Sequence, residues 1–117
     1  MRRRIYIAGS YSADNVLGLL DNIRKGIRKG CEVMLEGYSP FVPWLDYQMH
    51  LSLREGEELS VQDFYDYSMT WLTVSDAVLV LPNSENSYGT QKEIAMAYQS
   101  GIPVFYDMES LMEVIPK

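Results

Sequence analysis

Cysteine and histidine are nearly missing from this chain, with one of each, Cys31 and His50, in 117 residues. A lone cysteine excludes an internal disulfide and any multi-cysteine zinc site, and a lone histidine excludes metal centres built on several imidazoles. Such cysteine usage points to a reducing compartment, most simply the cytoplasm. Basic residues are also scarce: ten Lys and Arg stand against sixteen Asp and Glu, for a formal net charge of −6. A surface of that sign repels nucleic-acid phosphate and argues against a DNA or RNA polymer as partner, while a local nest of backbone N–H groups can still hold a small anion. No apolar run approaches the length of a membrane span, and the apolar stretch Ile5–Gly9 after Met1-Arg2-Arg3-Arg4 is too short for a secretory signal. There is no G-x-G-x-x-G and no Walker lysine, so dinucleotide and triphosphate cradles are unsupported.

What is present is a core. Hydrophobic residues make up 47% and charged residues 22% of the sequence, which excludes a disordered tail, and the length suits one domain spanning 1–117. Ile5 to Gly9 reads as a short buried strand ended by glycine. Val16, Leu20, Ile23 and Ile27 then form a helical stripe, with Arg24, Lys25, Arg28 and Lys29 in its last turns and Gly30 as the expected stop. Cys31–Leu35 reads as a second strand, and Glu36–Tyr47, with Gly37, Pro40 and Pro43 among aromatics, as a long ordered loop. Gln48–Leu59 suggests a short helix and an exposed acidic turn.

Ser60–Ser75 predicts a helix capped by Ser60 and Asp63, with Val61, Phe64, Tyr65, Ser68, Trp71, Leu72 and Ser75 on one face. Asp76–Leu81 is apolar after its first residue, as in a strand buried on both faces of a parallel sheet. Ser84–Tyr88 forms a polar loop. A helix over Gly89–Ser100, with Ile94, Ala97 and Tyr98 inward, a strand over Ile102–Tyr106 and a short helix over Asp107–Val114 complete the chain. Strands alternating with helices predict an α/β fold: a single-domain, doubly wound, mostly parallel sheet of four or five strands with helices on both faces, Rossmann- or flavodoxin-like. Ligands of such sheets sit beyond the carboxyl ends of the strands, where strand order reverses. That directs attention to Gly9-Ser10-Tyr11-Ser12 and to Pro82–Gly89.

Thr90-x-x-Glu93 reads as a capping box. The same glutamate, presented at the strand ends and kept ionised by helix N–H groups, is also available as a nucleophile, and the two readings can hold at once although spacing alone favours the cap. Ser10 and Ser12, taken as the start of the first helix, suit either a phosphate or ribose site or plain capping. Trp44 and Tyr47 are candidates to stack on a base or to pack the loop, with Asp46 between them as a possible site carboxylate. His50 reads as an ordinary, partly exposed histidine.

Tyr6 and Gly9, the helix ending in Trp71-Leu72 before Ser75-Asp76-Ala77-Val78, and Ser87-x-Gly89-x-x-x-Glu93 resemble the nucleoside 2-deoxyribosyltransferase superfamily, which includes small deoxynucleoside 5′-monophosphate N-glycosidases. The resemblance spans nearly the whole chain and implies that Glu93 attacks the sugar C1′, that Tyr6 orients it, and that Ser87 helps bind the sugar hydroxyl or 5′-phosphate; Gly9, Ser10, Ser12, Gly89, Asp46 and Ser68 complete the expected binding shell. It implies a nucleoside or nucleotide as the small-molecule partner, no metal or organic cofactor, and a homodimer or larger homo-oligomer. Limited core and abundant aromatics argue for assembly as well. Two positions depart from the pattern. Gln91 stands where the family has a second glycine, and Ser68 where it has the aspartate that protonates the leaving base. Either Asp46 or Asp66 supplies that proton, or the base leaves unaided, or the protein binds without turnover. A nucleotide sensor and a ligand-free structural subunit are the alternatives.

Overall fold

Strand β1, Arg4–Ala8, is central to the computed structural model, which describes residues 1–117, and Ile5 to Ala8 are fully buried within it. It pairs with β2 (Ser39–Phe41) on one side and β3 (Ala77–Val80) on the other, and β4 (Val104–Phe105) lies beyond β3. The sheet order is β2-β1-β3-β4, parallel throughout. This is the expected α/β fold. Apolar residues are continuous along β1 and β3 because both faces are covered. The edges are blunted by shortness, and Pro40 sits in an edge strand, where a missing N–H is tolerated.

Helices α1 (Val16–Leu35) and α5 (Met108–Val114) cover the face formed by Ile5, Ile7, Ala77 and Leu79. Helices α3 (Val61–Leu72) and α4 (Tyr88–Gln99) cover the opposite face, formed by Tyr6, Ala8, Val78 and Val80. Between β2 and α3 come a 3₁₀ turn, Pro43–Asp46, and the short α2, Tyr47–Ser52. No helix is long and apolar enough to cross a membrane.

The expected strand over Cys31–Leu35 is instead the last part of α1, a helix of 20 residues. Gly30 does not stop it. Gly26 and Gly30 are buried members of the inner stripe with Ile23 and Val33, and a Cβ on either would collide with Trp44 or Val42. Basic residues followed by glycine imitate a helix exit, but here the glycines clear space for the turn crossing the helix. Salt bridges from Arg28 and Lys29 to Glu32 continue across Gly30. The exit lies at Glu36 and Gly37, whose φ of +101° suits glycine. The expected loop Glu36–Tyr47 therefore contains β2 and the 3₁₀ turn.

The capping box of Ser60 and Asp63 is present, each side chain accepting the other's backbone N–H. The inner face of α3 is narrower than expected, with Ser68, Met69 and Leu72 buried but Val61 and Trp71 exposed, and the helix ends before Ser75. Tyr98 also points outward from α4. Chain order reverses between β1 and β3, and the loops following them diverge into a crevice.

Candidate active site

The crevice is a cleft of about 1120 Å³ at the carboxyl ends of β1 and β3. Of the residues singled out above as candidates, Tyr6, Gly9, Ser10, Ser12, Asp46, Ser68, Ser87, Gly89 and Glu93 line it. Tyr6 reaches the α3–α4 side of the sheet because alternate side chains of β1 face opposite layers. Its ring stacks on Phe41 at 5.4 Å, and its hydroxyl donates to Glu93 Oε2. Burial, then the Glu93 carboxylate, pushes the Tyr6 pKa well above the usual phenol value, with Ser68 pulling the other way. Oε1 of Glu93 has no protein partner, so one carboxylate oxygen is held and one is free.

The cap of α4 is not the expected one. Ser87 is the N-cap, accepting from the Thr90 N–H at 3.3 Å, and Glu93 lies beyond the first turn. There the helix N–H groups no longer favour an anion. Burial pushes the Glu93 carboxyl up to about 8, against the lowering effect of the Tyr6 bond. The expectation that helix N–H groups hold Glu93 ionised is thus overturned, because desolvation exceeds what one hydrogen bond returns.

On the other wall, the Tyr11 hydroxyl donates to Asp46 Oδ1 at 2.6 Å. Burial raises the Asp46 pKa, while the Tyr11 bond and the His50 charge lower it. Asp66, the other acid considered, is exposed, bonded by Gln62, and outside the cleft. Gly9 is required by packing, since a Cβ there would meet Leu81 at 2.8 Å and Trp44 at 3.0 Å. Gly89 has open space around it.

Ser10 and Ser12 do not begin a helix. Asn15 caps α1, its Oδ1 accepting from the Gly18 N–H at 2.8 Å, so the loop after β1 lies apart from the helix terminus. The Ser10 N–H instead donates to Ser84 Oγ at 3.0 Å, and its carbonyl accepts from the Trp44 indole at 3.0 Å. Trp44 is buried against Gly26 and packs the turn at the cleft wall, and Tyr47 and His50 line the cleft beside it.

A protein-family model described as a domain of unknown function, DUF4406, matches residues 3–106. The chain belongs to this family. Among solved structures, this DUF4406 protein is similar to a 2-deoxyribosyltransferase from Bacillus psychrosaccharolyticus, described as a suitable biocatalyst for nucleoside synthesis. The likeness has 19% identity and a TM-score of 0.57 over 86% of this chain and 69% of that one. A conserved protein from Enterococcus faecalis V583 is similar at 20% identity and a TM-score of 0.55, over 89% of this chain. The chain spans 62% of the length of that second protein. Both likenesses are of fold. Comparison with proteins of curated function finds no match.

Three cleft features of the DUF4406 chain were not legible in its sequence. Tyr11 stands in a loop already singled out, yet its contact with Asp46 spans 35 positions. Ser84, buried at 3% exposure, ties the β3 loop to the β1 loop with no local signal. Lys92 Nζ lies 5.0 Å from the Tyr65 ring centre and 4.5 Å from that of Tyr88. Only the i,i+4 spacing of Tyr88 and Lys92 hinted at that arrangement.

Proposed function

We propose that this protein cleaves or transfers at the N-glycosidic bond of a nucleoside or nucleoside 5′-monophosphate, with Glu93 as nucleophile and Tyr6 orienting it. The observation that carries the reading is the Tyr6–Glu93 hydrogen bond on the wall of a large cleft at the sheet's reversal point. The free Oε1 attacks C1′, the bond from C1′ to the base nitrogen breaks, and a glycosyl ester on Glu93 remains. Water resolving that ester makes a hydrolase, and a second base makes a transferase. The tyrosine bond limits the carboxylate to one approach, which is how a positioned nucleophile gains rate. Ser87, Gly89, Ser10 and Ser12 would meet the sugar or its 5′ end, and Tyr47 and Phe64 offer apolar faces to the base. The chemistry draws on these side chains and calls for no cofactor.

Assembly as a homodimer or larger homo-oligomer belongs to the same reading, since Leu51 and Val61, which line the cleft, are left exposed in the single chain. A cytoplasmic setting follows from the single free cysteine. The burial that raises Glu93 to about 8 also supports a second reading, a nucleotide-binding module in which a mostly neutral Glu93 donates a hydrogen bond. A screen of nucleosides and 5′-monophosphates for released base, with thermal shift on the same samples, tests both. Release supports the enzyme, a shift without release supports the binder, and neither effect removes both.

A further inference from the structure

Asp46 and Glu93 are the carboxyl groups among the residues lining the cleft. The Tyr6 hydroxyl is bonded to Glu93, and the Asp46 charge acts on the same phenol. Asp46 is buried at 8% exposure at the end of the 3₁₀ turn, and Tyr11 occupies its Oδ1. Its Oδ2 has no protein partner, yet it is not sealed from solvent.

We propose that Asp46 is the proton donor to the leaving base, with Oδ2 serving the same bound substrate that Glu93 attacks. This inference rests on the glycosidic reading above. Glu93 must be a carboxylate as its oxygen meets the electron-poor C1′, and the proton of the reacting state then resides on Asp46. Burial favours the neutral form of Asp46 as well. As the C1′–N bond breaks, its electron pair goes to the base and the Asp46 proton is delivered to a basic atom of that base. Asp46 is left as a carboxylate, stabilised by the O–H of Tyr11. In the second step water attacks C1′, gives its proton to Asp46, and Glu93 departs as a carboxylate. Substrate and water have become sugar and free base, and both acids are restored. The groups facing Asp46 are Tyr11 from the β1 loop, Tyr6 from β1 and His50 from α2. Ser68, on α3, then needs no acidic function.

The test compares wild type with Asp46→Asn on two classes of substrate. One is the common 2′-deoxynucleosides and their 5′-monophosphates, whose bases leave better when protonated. The other is N7-methyl-2′-deoxyguanosine 5′-monophosphate, whose cationic base leaves as a neutral molecule without a proton. Asparagine can still accept from Tyr11, so the fold of the turn is preserved. In a single turnover, which reads base release before water resolves the glycosyl ester, Asp46→Asn is expected to slow release of the ordinary bases by about 100- to 10,000-fold while sparing the methylated substrate to within about tenfold. Wild type should show a bell-shaped pH profile, and the variant acting on the methylated substrate should lose its alkaline fall. Equal losses on both classes, or equal activity on both, overturn the acid assignment while leaving the glycosidic reading intact. Wild type releasing base from neither class overturns both. Should Asp46→Asn fail to fold, Tyr11→Phe gives an independent reading. Removing the bond that favours the ionised form should change the pH profile on the ordinary substrates, and a profile unchanged in both position and height counts against Asp46.

Discussion

Among single residues, Glu93 links stability to chemistry most directly. Its carboxyl titrates at about 8 in the folded chain against an ordinary 4.5. Across that interval the folded chain keeps a proton that the unfolded chain has released, so Glu93's contribution makes stability fall as pH rises. Glu93→Gln removes the titration. The variant should match wild type in melting temperature near pH ~5 and exceed it near pH ~9, while turnover falls by several orders of magnitude. A melting temperature lowered at both pH values, with turnover kept, would assign Glu93 to helix stability alone. Ser87 offers a second test, because it both caps α4 and lines the cleft. Ser87→Ala should cost roughly 0.5–2 kcal/mol of stability and weaken nucleoside 5′-monophosphate binding. Ser87→Asp restores a capping acceptor but brings a negative charge, so it should keep the melting temperature and still bind more weakly. Calorimetry showing unchanged affinity in both variants would remove Ser87 from the site.

At the scale of elements, the packing of α1 against the 3₁₀ turn sets the position of Asp46. Trp44 fills the notch above Gly26, and a Cβ there would lie 2.1 Å from Trp44 Cδ2. Gly26→Ala would gain about 1 kcal/mol of helix propensity. Overpacking a filled site costs about 1–3 kcal/mol, and the clash is with a rigid indole, so the net change should be a loss. Denaturant unfolding followed by tryptophan fluorescence measures it, and base release should fall too as the turn shifts Asp46. A variant more stable than wild type would show that the turn sits loosely on the helix.

For the whole molecule, the apolar surface outside the core is the feature with consequences. Leu45, Met49, Leu51, Leu59 and Val61 are exposed on or beside the 3₁₀ turn, α2 and the start of α3. Burying such side chains against a second copy would gain roughly 25 cal/mol per Å². Light scattering at micromolar concentration should therefore report at least twice the 13.4 kDa of one chain. A purely monomeric species would sink the oligomer expectation.

The succession of strands and helices could be read from the sequence, because burial on both faces leaves continuous apolar runs in β1 and β3, and capping chemistry is local, as at Ser60 and Asp63. The resemblance carried by Tyr6, Ser87, Gly89 and Glu93 pointed to the same crevice, because each stands on β1 or at or near the start of α4, whose places in a parallel sheet are fixed by topology. The end of α1 was not legible, since whether Gly30 stops a helix or admits Val42 depends on a residue that packs there only after folding. Nor were the protonation of Glu93 and the pairing of Tyr11 with Asp46. A pKa is set by desolvation and by partners distant in sequence, and only the folded chain brings those together.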